Sequence, residues 1–143
     1  MKALTVRQPW ATAIVDLGKR VENRTTRWAY RGPLAIHAGR WDPTGAATVI
    51  RRVGAPLPAG AMIRGAIIGV TTLEDVHPAG EGCCGVWGEP PPPCPVAGGR
   101  PRSVPRLHHL VLGDVTPVEP VYMPGRLGLW PVPVGVVLVP APR

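Results

Sequence analysis

The chain has 143 residues and a net charge of +7, from 16 basic and nine acidic side chains. This length suits one domain, 1–143, with a modest core. No apolar run approaches the ~20 residues of a membrane helix, so no membrane contact is expected. Twenty prolines and 18 glycines commit much of the chain to turns and loops, and an odd count of three cysteines gives no disulfide framework.

Residues Ala3–Arg7 read as a short strand with β-favouring Thr5 and Val6. The N-terminus turns polar at Arg7-Gln8 before a signal-peptide core could form, so a cytoplasmic location is expected. Pro9 fits a first helical position, and Trp10, Ala13, Ile14 and Leu17 follow at helical spacing. Gly18 is placed to end this helix. Arg20–Thr26 reads as extended, Arg31-Gly32 as a turn, and Pro33–Ala38 as a buried strand. A second helix is well signalled. Asp42 can cap it, Pro43 opens it, Arg51 and Arg52 suit its last turn, and Gly54 closes it. Arg64–Val76 is the longest strand signal, with Gly69 a candidate bulge.

Residues 78–105 hold eight prolines and six glycines, including Pro90–Pro93, and predict a long, poorly structured excursion, mobile or folded over the site. The three cysteines, Cys83, Cys84 and Cys94, lie within it. With His77 they supply zinc-type ligands, but their spacing does not match C-x-x-C, and free loop thiols are the expectation. His108 and His109 alternate across a strand, which argues against a two-histidine metal site. Leu107–Val115 and a short segment ending at Trp130 complete the strands, and 131–143 reads as an edge or tail. The sum is a mostly β (α+β) chain with two short helices, naturally arranged as a small closed or partly open β-barrel.

Charge is uneven. Residues 1–52 carry ten basic and three acidic side chains, whereas the remainder is balanced. A concentrated basic surface attracts polyanions, phosphate backbones above all. Lys19 is one of only two lysines, and Glu22 follows three residues later. In an extended segment Arg20, Glu22 and Arg24 share a face, so the carboxylate would be held ionised between guanidiniums. Lys19 then either contacts a phosphate, acts as a base or nucleophile if desolvated, or ties the helix end to the sheet. Trp10 serves equally as a base-stacking platform or a core plug. Gln8 suits a base edge or the free N–H groups of the helix start. Trp28 and Tyr30 alternate with Arg27 and Arg31, a pattern fitted to single-stranded nucleic acid. His37, at a strand end, is either a ligand contact or acid/base, or is satisfied by backbone.

The runs Leu4–Ala11, Gly18–Arg24 and Tyr30–Ala38 together resemble the ASCH domain, the activating-signal-cointegrator homology domain of the PUA-like superfamily. Its hallmark is similar to G-x-K-x-x-E-x-R. Lys19, Glu22 and Arg24 match it, with one residue fewer between Gly18 and Lys19. His109–Leu112 and Gly125–Trp130 resemble the closing strands. The resemblance implies a PUA-like β-barrel whose cleft is lined by the Lys/Glu/Arg motif, and RNA or nucleic-acid binding in general. Some small members deacetylate acetylcytidine with a Lys, a Thr three residues on, and a distant Glu; here Glu22 stands where that Thr would be. Another bacterial member is a metal-assisted ribonuclease, and no metal-ligand cluster is read here.

The leading expectation is a module binding RNA, single-stranded nucleic acid or a nucleotide-like small molecule through Gln8, Trp10, Lys19, Glu22, Arg24, Trp28, Tyr30 and His37. It needs no cofactor and no metal. The alternatives are a hydrolase of a modified nucleoside or RNA with Lys19 and Glu22 catalytic, and an adaptor presenting its Pro-rich excursion.

Overall fold

The computed structural model describes residues 1–93 and 106–142. In chain order the elements are β1 (Lys2–Gln8), α1 (Trp10–Asp16), β2 (Val21–Arg24), β3 (Gly32–Trp41), α2 (Pro43–Val53), β4 (Ala66–Pro78), β5 (His108–Leu112), β6 (Thr116–Tyr122) and β7 (Leu129–Pro131). Short 3-10 turns occupy Ala59–Met62 and Gly85–Trp87. Among the described residues no helix is long and apolar enough to cross a membrane.

Helix α2 follows its local signals. The Asp42 carboxylate accepts from the Gly45 N–H at 3.0 Å, Pro43 opens the helix, and Gly54 closes it at φ 70°. Helix α1 has seven residues, too few to persist alone. Burial sustains it, because all of Ala11–Val15 lie inside. Pro9 is its N-cap, not its first helical residue, and Leu17 caps it ahead of Gly18.

The sheet is mixed and seven-stranded, in the order β2-β5-β4-β3-β1-β7 with β6 also on β4. Strand β1 runs parallel to β3 and every other pair is antiparallel. Long β4 bonds β6 through Ala66–Val70 and β5 through Leu73–Pro78, so two strands follow one another along one edge. Of the closed or partly open barrel expected, closure is excluded. With β5 and β6 both on β4, no described strand bridges β2 to β7, and the sheet stays open. The mostly β character with two helices stands.

Gly69 lies at a register shift between β4 and β6. A Cβ there would sit 2.7 Å from Val15 Cγ2, so the missing side chain admits α1 onto the sheet. Alternation along the strands then sorts the core. Leu4, Val6, Leu34, Ile36, Ile68 and Leu110 pack with α1, while Ala3, Ala35, Ile67, Val118 and Trp130 form a second cluster.

Strand β6 was not legible in the sequence because Pro117 and Pro120 lie inside it. Prolines are tolerated in strands at edges. The tail runs beside it, with Glu119 N–H donating to Val139 O at 2.8 Å and Ala141 N–H to Pro117 O at 2.9 Å. The described part of the Pro/Gly excursion is folded, not loose. Ala79 N–H donates to Leu107 O, and the Gly85–Trp87 turn packs back toward β2 and β5. Cys94 and the remainder of the excursion to 105 lie outside the described residues.

Candidate functional site

Helix α1 ends by turning Lys19 inward: its N–H donates to Ala13 O at 3.0 Å and its side chain is only 2% exposed. The ammonium donates to Glu22 Oε2 at 2.8 Å and to the Val21 carbonyl. Glu22 Oε1 lies 3.4 Å from Arg24 Nε, and Arg24 also donates to Thr5 O at 2.9 Å. Arg20 does not join them. Its guanidinium donates to Ile14 O at 2.7 Å, because β2 begins one residue later, at Val21.

Burial alone would raise the Glu22 pKa. The charges and hydrogen bonds of Lys19 and Arg24 together outweigh it, and the carboxyl is held below its ordinary value. A depressed carboxyl pKa stabilises the fold fully above the unfolded value near 4.5, and that stability is lost as pH falls through the lower folded value. The unfolding free-energy gap between wild type and Glu22→Gln should therefore shrink on acidification from about pH 7 to about pH 3. A gap that denaturant titrations find constant over that range would refute this account.

Trp10 stands over the network, its ring centroid 5.7 Å from Lys19 Nζ. Its indole N–H donates to Asp42 Oδ2 at 3.1 Å. Asp42 is held below the ordinary carboxyl range, first by the Gly45 N–H and then by that indole. The guanidinium of Arg52 lies 5.9 Å from the Trp10 ring and 5.8 Å from the Trp87 ring, and the two tryptophans meet edge-on at 6.5 Å.

Beside this wall a cleft of about 1260 Å³ opens at the ends of β1, β2 and β3. Trp10, Glu22, Arg24 and His37 line it, so four of the sequence-predicted residues converge. Lys19 lies beneath, behind Glu22. Gln8 is fully buried. Its Nε2 donates to Ile63 O at 2.8 Å and its Oε1 accepts from Thr12 N–H at 3.0 Å, so its polar atoms are used inside. Trp28 packs against the core, Tyr30 donates to Pro33 O, and neither lines the cleft. His37 Nε2 donates to Met123 O at 2.8 Å, while its buried Nδ1 has no partner.

Sequence reading missed Arg7, Arg40, Arg64, Arg126 and Trp41, which also line it. Arg64 lies 5.6 Å from the Trp41 ring. The basic bias of residues 1–52 was a signal for Arg7 and Arg40, but nothing local marks Arg64 or Arg126. The cleft thus carries five arginines against two carboxylates, Glu22 and Asp42.

A second gathering lies on the β4–β5 edge. Spacing argued against a metal site, but strand pairing sets His109 opposite His77, and Cys83 and Cys84 fold back onto them. The ligand atoms of these four residues all lie within 4.8 Å of one another.

No family model matches the sequence, and no curated protein matches it. Solved structures do share its fold. An ASCH protein from Zymomonas mobilis aligns with a TM-score of 0.52 and 16% identity, over 85% of this chain and 72% of that one. A tyrosine-to-phenylalanine variant of the Zymomonas protein aligns at 0.51 and 16%, over 85% and 74%.

Proposed function

We propose that this chain, which has the ASCH fold, binds single-stranded RNA in the arginine-lined cleft. The observation that carries the reading is the cleft's composition: Arg7, Arg24, Arg40, Arg64 and Arg126 line it together with Trp10 and Trp41. Guanidiniums neutralise phosphates and aromatic faces stack bases, the pairing that single-strand sites use. Glu22 adds selectivity. A carboxylate has about four lone-pair positions, and Lys19 and Arg24 engage only part of them. The remainder accepts from an exocyclic base amino group. Lys19 serves from below, holding Glu22 ionised and aimed.

Binding is favoured over turnover. The Lys19 ammonium is engaged by Val21 O and Glu22, the residue is only 2% exposed, and it does not line the cleft. A nucleophile or general base in its place would have to give up both partners.

The test is fluorescence anisotropy with short single-stranded RNA at several salt concentrations. Affinity should fall linearly in log–log form, with a slope of about 0.7 per phosphate contact. Arg40→Ala/Arg64→Ala/Arg126→Ala should weaken binding uniformly across sequences and reduce the slope by about 2. All three side chains are exposed, so the variant should keep its fold. Binding that ignores salt, or is unchanged in the triple variant, would sink the reading.

A further inference from the structure

His77 in β4 and His109 in β5 are direct register partners, their ring centroids 5.5 Å apart. Beyond β4 the chain turns back through Gly80 and Gly82 and lays Cys83 and Cys84 over the pair. Among the described residues, Cys84 is the one non-glycine with a positive φ, 62°. That backbone turns two consecutive side chains toward the same point. Their Sγ atoms are 3.3 Å apart, and His77 Nε2 lies 3.2 Å from Cys83 Sγ and 3.4 Å from Cys84 Sγ.

The imidazoles are oriented from behind. His77 Nδ1 faces Asp75 Oδ2 at 3.1 Å, and His109 Nε2 faces the Glu89 carbonyl at 2.7 Å. A carbonyl only accepts, so His109 Nε2 carries the proton and its Nδ1 has a bare lone pair. That Nδ1 is buried and has no hydrogen-bond partner, on a residue that is 0% exposed. A carboxylate or carbonyl fixing the outer ring nitrogen is the arrangement found behind metal-bound histidines.

We propose that His77 Nε2, Cys83 Sγ, Cys84 Sγ and His109 Nδ1 bind one zinc ion that staples the loop 79–89 to β4 and β5. Two sulfurs and two imidazole nitrogens in a tetrahedron suit zinc. Ordinary zinc bond lengths place the sulfurs about 3.8 Å apart and sulfur to nitrogen about 3.5 Å apart, close to the 3.2–3.4 Å distances among His77, Cys83 and Cys84, and His109 offers its ligand atom within 4.8 Å of the other three. Both cysteines would bind as thiolates, so zinc binding would release their protons.

The staple has a reach beyond itself. The same loop carries Trp87 and Glu89 to the wall beside Trp10. Asn23 donates to Trp87 O at 2.9 Å and accepts from Glu89 N–H at 2.8 Å, and Glu89 pairs with Arg52 at 3.0 Å. Gly88 permits the close fit, since a Cβ there would meet Cys83 O at 2.3 Å.

The experiment is metal analysis of the reduced, full-length protein and Co²⁺ titration of its metal-free form. The expected result is one zinc per chain, and a cobalt spectrum with tetrahedral d–d bands and thiolate charge transfer of two-sulfur intensity. Cys83→Ser and Cys84→Ser should each weaken the metal by more than the ~10–100-fold that outer partners contribute. Cys94→Ser should leave stoichiometry and spectrum unchanged. A cobalt spectrum without thiolate bands, full affinity in both serine variants, or a Cys83–Cys84 disulfide that resists reductant would overturn the proposal. So would loss of the spectrum in Cys94→Ser. Wild-type cobalt titration decides the matter even if a variant fails to fold, and neither readout depends on RNA.

Discussion

Lys19→Ala should destabilise the fold by about 3–5 kcal/mol, the ordinary loss when one member of a buried ion pair is removed. Lys19 is 2% and Glu22 8% exposed, so water cannot replace the missing ammonium. Two consequences add. Glu22 retains only Arg24, at 3.4 Å, and the Val21 carbonyl loses a donor. The loss belongs to the orphaned partner and is not the net worth of the pair. Lys19→Met with Glu22→Leu should therefore cost less than Lys19→Ala alone, because burying no charge is cheaper than burying an unpaired one. Urea titrations with unchanged m values would measure both. A double variant that loses as much as the sum of its singles would contradict the network.

Gly45→Ala should cost the cleft its stacking platform while moving stability much less. An alanine Cβ at position 45 would lie 2.3 Å from Trp10 Nε1 and 2.6 Å from Asp42 Oδ2, distances that force the indole to move. Overpacking of this kind costs about 1–3 kcal/mol, and alanine recovers up to about 1 kcal/mol of helix propensity over glycine. The net change in stability is then only about 0–2 kcal/mol. Affinity responds differently. A base–aromatic stack contributes about 1–3 kcal/mol, so RNA binding should fall roughly tenfold or more, and Trp10→Ala should fall by a similar amount. Equilibrium anisotropy on both variants, beside their melting curves, separates the two effects. Wild-type affinity in Gly45→Ala would place Trp10 outside the contact.

The site residues differ in how far local sequence could see them. The hallmark spacing of Lys19, Glu22 and Arg24 identified the network, and alternation correctly put Glu22 and Arg24 side by side. Alternation failed at Arg20, because it assumed that the strand had already begun there. Gln8 and Tyr30 have the chemistry of contact residues but bond internally. Residue type alone does not tell which backbone groups need a partner.

Sequence by itself determined the features whose causes are local. Helix α2 needed only Asp42, Pro43 and Gly54, because capping and φ preference act over a single turn. The mostly β content with two helices followed from periodicity. The basic N-terminal third followed from counting charges. Tertiary structure decided everything that depends on which edge meets which. It left the sheet open by placing β5 and β6 in succession on β4. It turned Lys19 inward, and it drew Arg64 and Arg126 to a cleft begun by Arg7, Arg24 and Arg40. It set His109 opposite His77, which no Cys/His spacing could announce. The reason is physical: strand register and burial are fixed by hydrogen bonds and packing between residues distant in sequence, and a one-residue slip turns each side chain to the other face.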